Sequence, residues 1–146
     1  MYNTASCGGH KDFSCPLPPH LLPLNSSMED FYYRKLKVYQ QSKTMANEVY
    51  EIVKQFPRDD QNILANQLLR SSLSVPSNIA EGMGRFSKKE RVHFLEIALG
   101  SLMEAMCQLE IAESRGYIGF DQFTNQENNF KEISRMIVGL KKSLEE

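Results

Sequence analysis

Apolar residues in this chain return every three or four positions through four long stretches, and nowhere do they alternate with a period of two. A period near 3.6 puts them on one side of a helix, whereas a half-buried strand needs a period of two. The chain is therefore expected to be all helical. In the first stretch Val38, Ser42, Met45, Val49, Ile52 and Phe56 share a stripe, with Tyr39, Ala46, Tyr50 and Val53 beside it. Phe56-Pro57 ends that helix, because a residue before proline avoids the α region. Asp59 and Asp60 suit the first turn of the next helix, where the dipole favours negative charge. The second helix carries Ile63, Leu64, Leu68, Leu73, Val75 and Ile79 and is expected to stop at Gly82.

Pro76 falls inside this second pattern. It lacks an N–H and crowds the carbonyl four residues back, that of Ser72, at a cost of roughly 3 kcal/mol if nothing compensates. Ser71, Ser72, Ser74 and Ser77 surround it, and their hydroxyls are available to the freed backbone groups. A helix kinked at Pro76 is the expectation, followed by a turn to which Gly84 gives freedom. Ser87 with Glu90 three residues on is a capping box that opens the third helix.

The third stretch has two stripes, one of Leu95, Ala98, Leu102, Ala105, Leu109 and Ala112, the other of Val92, Leu99, Met103 and Met106. Some 28 residues at 1.5 Å each span about 42 Å. One bundle does not easily bury both stripes, so a subunit contact is expected. Gly100-Ser101 within this helix reads as a packing notch, and Gly116 stands where a C-terminal cap belongs. Phe123, Phe130, Ile133, Ile137, Leu140 and Leu144 mark the fourth helix, with Gln126 the polar member of the repeat. Four long helices and short connections predict an up-and-down antiparallel four-helix bundle.

The chain has 146 residues, enough for one domain, which is placed at residues 28–146. Residues 1–27 hold four of the six prolines and show no helical period, so they read as a disordered tail, and Met28 is a candidate native start. His10, His20, Cys7 and Cys15 lie in that tail without a fold to fix ligand geometry, so no metal site is expected there. The three cysteines make no C-x-x-C spacing, which fits a reducing cytoplasm. Cys107 is expected to be buried in its apolar helix. No wholly apolar run exceeds a few residues, so no membrane span is expected.

The run Q-L-L-R-S-S-L-S-V-P-S-N-I-A-E-G-M-G-R, followed by F-L-E-I-A-L-G-S, resembles the four-helix-bundle proteins related to the 23S ribosomal RNA intervening-sequence protein. The opening L-K-V-Y-Q-Q-S and Phe56-Pro57 match as well, and the likeness extends from about Leu36 to Leu144. The tail departs from the family pattern. The resemblance implies a homopentameric ring of bundles, a non-catalytic role, and RNA or DNA as the candidate ligand. A more distant relative of the same fold is the accessory protein of diversity-generating retroelements. It implies the alternative, an adaptor whose partner is a reverse transcriptase.

The candidate contact segment is Arg85-Phe86-Ser87-Lys88-Lys89-Glu90-Arg91, with four cations in seven residues at a helix N-terminus. A net charge of −1 means that any nucleic-acid contact must come from such a local patch. Phe86 is available for stacking, and Arg70 is a further candidate cation. The plain alternative is a solvated turn. Asn78 and Glu81, roughly in line with Arg70 on the second helix, read as a structural polar cluster, with Glu81 placed to pair with Arg85. Gly82-Met83-Gly84 has no preceding strand, so no nucleotide cofactor is expected. His93 between Glu90 and Glu96 is a single Glu-x-x-His with no second motif, so no metal is expected. No nucleophile is paired with a base, so no catalytic residue is assigned and the protein is expected not to be an enzyme.

Overall fold

The computed structural model describes residues 31–146; the expected tail at residues 1–27, with its histidines and cysteines, and Met28 lie outside the described residues. Among the described residues the chain is helical and has no strand. A 3₁₀ turn at Tyr32–Lys35 precedes α1, Lys37–Val53. An α turn at Arg58–Asp60 and a π turn at Gln61–Ala65 lead into α2, Asn66–Met83. Then come α3, Lys88–Ser114, and α4, Phe120–Glu145. Side-chain bonds show the antiparallel order. Ser71 Oγ donates to Gln108 Oε1 at 2.6 Å, while Ser74 and Ser101 hydroxyls meet at 2.9 Å. Glu48 on α1 accepts from Gln126 and Asn129 on α4, and Gln41 donates to Glu132. The chain is an all-α four-helix bundle.

The core is built on the first α3 stripe. Leu95, Ala98, Leu102, Ala105, Leu109 and Ala112 are all fully enclosed. Alternating leucine with alanine leaves room for neighbouring helices to close in, and α2 makes the most extensive contact with α3. Val49, Leu68, Val75, Ile79, Phe130, Ile133 and Ile137 complete this layer. Each such leucine or isoleucine contributes roughly 1.5–3 kcal/mol when removed from water.

Several side chains do not follow the sequence pattern inward. Ile63 is 65% exposed and Leu73 55% exposed, because the Leu68, Val75 and Ile79 face of α2 is the one turned to the core. Cys107 is exposed, not buried. It follows the enclosed Ala105 by two residues, roughly 200° around the helix. Gly100 is no packing notch within the chain, since an added Cβ would meet nothing within 4 Å. The second α3 stripe stays half-buried or open, with Met103 49% exposed. By length and composition α3 could also cross a membrane, its most apolar 18 residues having mean hydropathy 1.2, which a count of unbroken apolar runs did not anticipate.

α2 runs without interruption through a buried Pro76. The nearby hydroxyls turn to acceptors other than the Ser72 carbonyl: Ser71 to Gln108, Ser72 to the Leu69 carbonyl and Ser77 to that of Leu73. The helix ends at Met83, one residue beyond Gly82, and Gly84 has an ordinary φ of −82°. The glycine that the fold requires is Gly82. A Cβ there would stand 2.8 Å from Phe94 Cβ and 3.4 Å from the Arg91 carbonyl on α3. At the far end Gly116 takes φ +74°, a left-handed conformation that L side chains rarely adopt.

Two connections meet at the end of the bundle where α1 and α3 finish. Gln61 Nε2 donates to the Val53 and Phe56 carbonyls at 3.2 and 2.8 Å, taking up groups left open at the end of α1. Asp60 Oδ2 accepts from the Tyr117 hydroxyl and, at 2.9 Å, from Arg115 Nη1. The Tyr117 ring lies 5.4 Å from that of Phe56. The Tyr117 hydrogen bond first, and the Arg115 charge after it, hold the Asp60 carboxyl below its ordinary range, against a desolvation that pushes it up. The Asp60 bond, with burial, pushes Tyr117 up.

Gly82→Ala is expected to destabilise the bundle. Overpacking against Phe94 costs roughly 1–3 kcal/mol, and the better helix propensity of alanine returns only about 1 kcal/mol. Gly139→Ala, inside α4 with open space around it, should instead stabilise by about 0.5–1 kcal/mol. Urea midpoints of the two variants check the pair, and an unchanged midpoint for Gly82→Ala would remove the close approach from the account.

The Asp60 strap sets a pH window. A lowered carboxyl contributes stability above its unfolded pKa of about 3.9 and loses it as pH falls through the lower folded value. A raised phenol contributes fully below about pH 10 and loses that contribution as pH rises through its higher folded value. Asp60→Asn should therefore weaken the protein at neutral pH and flatten both limbs of its stability profile. Urea unfolding at several pH values is the measurement, and a variant with the wild-type profile would show that the strap is idle.

Candidate nucleic-acid interface

The Gly84–Ser87 connection joins α2 to α3 and is shaped by its own side chains. Ser87 caps α3: its Oγ accepts from the Glu90 backbone N–H at 3.1 Å and donates to Glu90 Oε2 at 3.0 Å. Arg85 N–H donates to the Gly82 carbonyl at 3.0 Å. The Arg85 guanidinium pairs with Glu81 and lies 4.7 Å from the centre of the Phe94 ring. Its Nε is buried without a hydrogen-bond partner. Arg91 Nε donates to the Arg85 carbonyl at 2.7 Å. Both arginines thus hold the turn in shape, and neither is a loose cation.

The remaining members face outward. Phe86 is 99% exposed, so its ring has essentially no intramolecular cover. Lys88 and Lys89 are exposed in the first turn of α3 and make no ion pair among the described residues. A bare aromatic ring beside two cations at a helix N-terminus can stack on a base and neutralise phosphates. The acidic residues close by are engaged locally, Glu81 by Arg85 and Glu90 by Ser87.

Arg70 is not part of this group. It is exposed on α2, fifteen residues before Arg85 and so about 22 Å back along the helix. Asn78 does not share contacts with Arg70 or Glu81. Its Nδ2 donates to the Ser74 carbonyl and to Ser74 Oγ at 2.8 and 2.9 Å, so it joins the hydroxyl pair that links α2 to α3. His93 is exposed, with its ring edge on Phe94 at 5.9 Å. Glu96 is drawn to Lys141, 2.6 Å away; that hydrogen bond holds Glu96 below its ordinary range and raises Lys141. Among the described residues no three His, Cys, Asp or Glu side chains gather as metal ligands would.

A second basic and aromatic segment is Phe31-Tyr32-Tyr33-Arg34-Lys35-Leu36-Lys37, which sequence motifs alone do not point to. Phe31 is 59% and Tyr32 64% exposed. Arg34 lies 4.9 Å from the Phe31 ring centre, which in turn stacks on Tyr33 at 5.8 Å. Tyr33 is anchored edge-on against Tyr39 of α1 at 4.7 Å. Gln40 Nε2 donates to the Arg34 carbonyl at 2.6 Å. Its signal in the sequence is composition alone, three rings and three cations in seven residues ahead of the first helical period.

Fold and turn together define a small helical-bundle protein with a cationic, aromatic connection at one end. The sequence model of the 23S rRNA-intervening sequence proteins matches residues 34–139, and the chain belongs to that family. A crystal structure from the S23 ribosomal protein family of Bacteroides thetaiotaomicron, a protein described as of unknown function, is similar. It has 25% identity and a TM-score of 0.66 over 72% of this chain and 98% of that one. No curated protein matches the chain.

Proposed function

We propose that this protein is a non-enzymatic homo-oligomer that binds RNA through the Arg85–Arg91 turn. The observation that carries the reading is the fully exposed Phe86 ring beside the unpaired Lys88 and Lys89. With a net charge of −1 the chain has no general affinity for polyanions, so a local patch of this kind is the surface that serves. The intervening-sequence membership agrees with an RNA ligand.

The oligomer rests on α3. Its core stripe is enclosed, yet Ile97, Met103 and Ile111 on its other sides remain 38%, 49% and 37% exposed. A groove of about 450 Å³ runs between α3 and α4, floored by Met103, Met106 and Phe130 and edged by Glu110, Glu127 and Lys131. Exposed apolar surface rimmed by charge is what a subunit contact covers. A ring, pentameric as the family resemblance implies, repeats the turn on every subunit and makes a weak site multivalent.

Lys88→Ala/Lys89→Ala is the cleaner test of the RNA site than a variant that also removes Arg85 and Arg91, which shape the turn. Single-strand binding should weaken with helix content unchanged, and the slope of log K against log salt should shrink by about 1.4 for each engaged subunit, 0.7 per phosphate. A folded variant with wild-type affinity and slope would place the site elsewhere. For the assembly, light scattering at micromolar concentration should give a multiple of 16.8 kDa, and a clean monomer would refute it.

A further inference from the structure

We propose that the segment Phe31–Lys37 is a second nucleic-acid-binding element, and that it makes the ligand a single strand. This rests on the reading of the Arg85–Arg91 turn as the RNA site and extends it. The Tyr32–Lys35 turn packs against α2, the helix that ends in the Gly84–Ser87 connection. In an antiparallel bundle the start of α1 and the end of α2 point to the same end of the molecule. Both aromatic and basic segments therefore serve one end. The other end also carries exposed rings, Tyr50 with Lys54 4.5 Å from its ring centre and Phe120 at 72% exposure. There the connections are occupied with each other through Asp60, Arg115 and Tyr117.

The two segments offer the same chemistry. Tyr32 is 64% exposed and makes no ring contact among the described residues, so much of its ring is open, if less than that of Phe86 at 99%. Phe31 carries Arg34 at 4.9 Å from its ring centre and stacks on Tyr33 at 5.8 Å, so it fixes a cation beside the open Tyr32 ring. The segment is fastened by Tyr33 on Tyr39 and by Gln40 on the Arg34 carbonyl, so the exposed rings are displayed from a held backbone. Apolar rings at 59% and 64% exposure do not serve the core, which leaves them for a partner. Rings stack most readily on bases that are free of a duplex, and two ring-bearing elements on one end suit a strand that crosses it.

The test uses the full chain and a fluorescein-labelled oligouridylate of about 15 nucleotides, long enough for a site of this class. Tyr32→Ala and Phe86→Ala should each weaken binding roughly 5- to 100-fold, the range for one stacked base, while Tyr32→Phe binds as wild type. A duplex of the same length should bind less well and respond little to either change. The chain has no Trp, so Tyr32→Trp supplies a sole indole, whose emission should be quenched as the oligonucleotide is added, whatever the stability of the alanine variant. Loss with Phe86→Ala but none with Tyr32→Ala, together with no quenching, would overturn the second element and leave the turn's role standing. Equal losses on duplex and single strand would overturn the stacking. Failure of the wild-type protein to bind any nucleic acid would instead sink the function proposed above.

Discussion

The contact between α2 and α3 at Gly82 fixes what this molecule can display. Without a side chain at Gly82 the two helices close until its α carbon faces Phe94, and they do so at the last turn of one and the second turn of the other. The connection left between them is then only Gly84–Ser87, too short to fold back on the bundle. Phe94, pressed against α2 on one side, also receives the Arg85 guanidinium. The same ring that seals the helix pair thus holds the first cation of the turn, and Phe86, next in sequence, is left facing solvent. Phe86 thus stands exposed one residue beyond the cation that Phe94 holds.

The division of labour between arginine and lysine along this turn has a physical basis. A guanidinium is planar and weakly hydrated, so it can lie on Phe94, pair with Glu81 and donate to a carbonyl without a large desolvation cost. Lys88 and Lys89 carry compact, strongly hydrated charges on flexible stems, which suits them to mobile phosphates. Four cations that look alike in the sequence therefore separate into two that build the turn and two that face solvent. Spacing alone does not distinguish them, because the distinction depends on where Phe94 and Glu81 stand in three dimensions.

The bundle was legible because its signals are local. The 3.6-residue period, the Ser87–Glu90 capping box, Phe56-Pro57 and Gly116 each depend on neighbours a few positions away, and the helices begin and end close to them. What was misread depends on other elements. Gly84 drew attention as the flexible glycine, but the need for glycine lies at Gly82 and is imposed by α3. Gly100 and Cys107 were placed in the interior from composition, although they share the outward side of α3. Leu73 and Ile63 fit the α2 pattern at its margin, and only the position of the neighbouring helices decides that this margin is wet. The π turn at Gln61–Ala65 has no sequence signature of its own. The Phe31–Lys37 segment was missed for the opposite reason, since its content was plain but no helical period called attention to it.

α3 links the two halves of the functional reading. A helix apolar around most of its circumference is at odds with a lone bundle, in which an outward face should be polar. Its inner stripe is satisfied by α2 and its neighbours, whereas Gly100, Met103, Cys107 and Ile111 lie on its exposed side together with Glu104. The same α3 begins at Lys88, so in the proposed assembly whatever covers its outward strip would set the spacing between successive copies of the basic turn. The proposed assembly would then be coupled to the length of the proposed ligand through one helix of 27 residues. A strand engaged by two subunits must span the distance that the α3 contacts set. Weak contacts by Phe86, Lys88 and Lys89 on each subunit would gain from that fixed spacing only where the strand is long enough to reach the next copy.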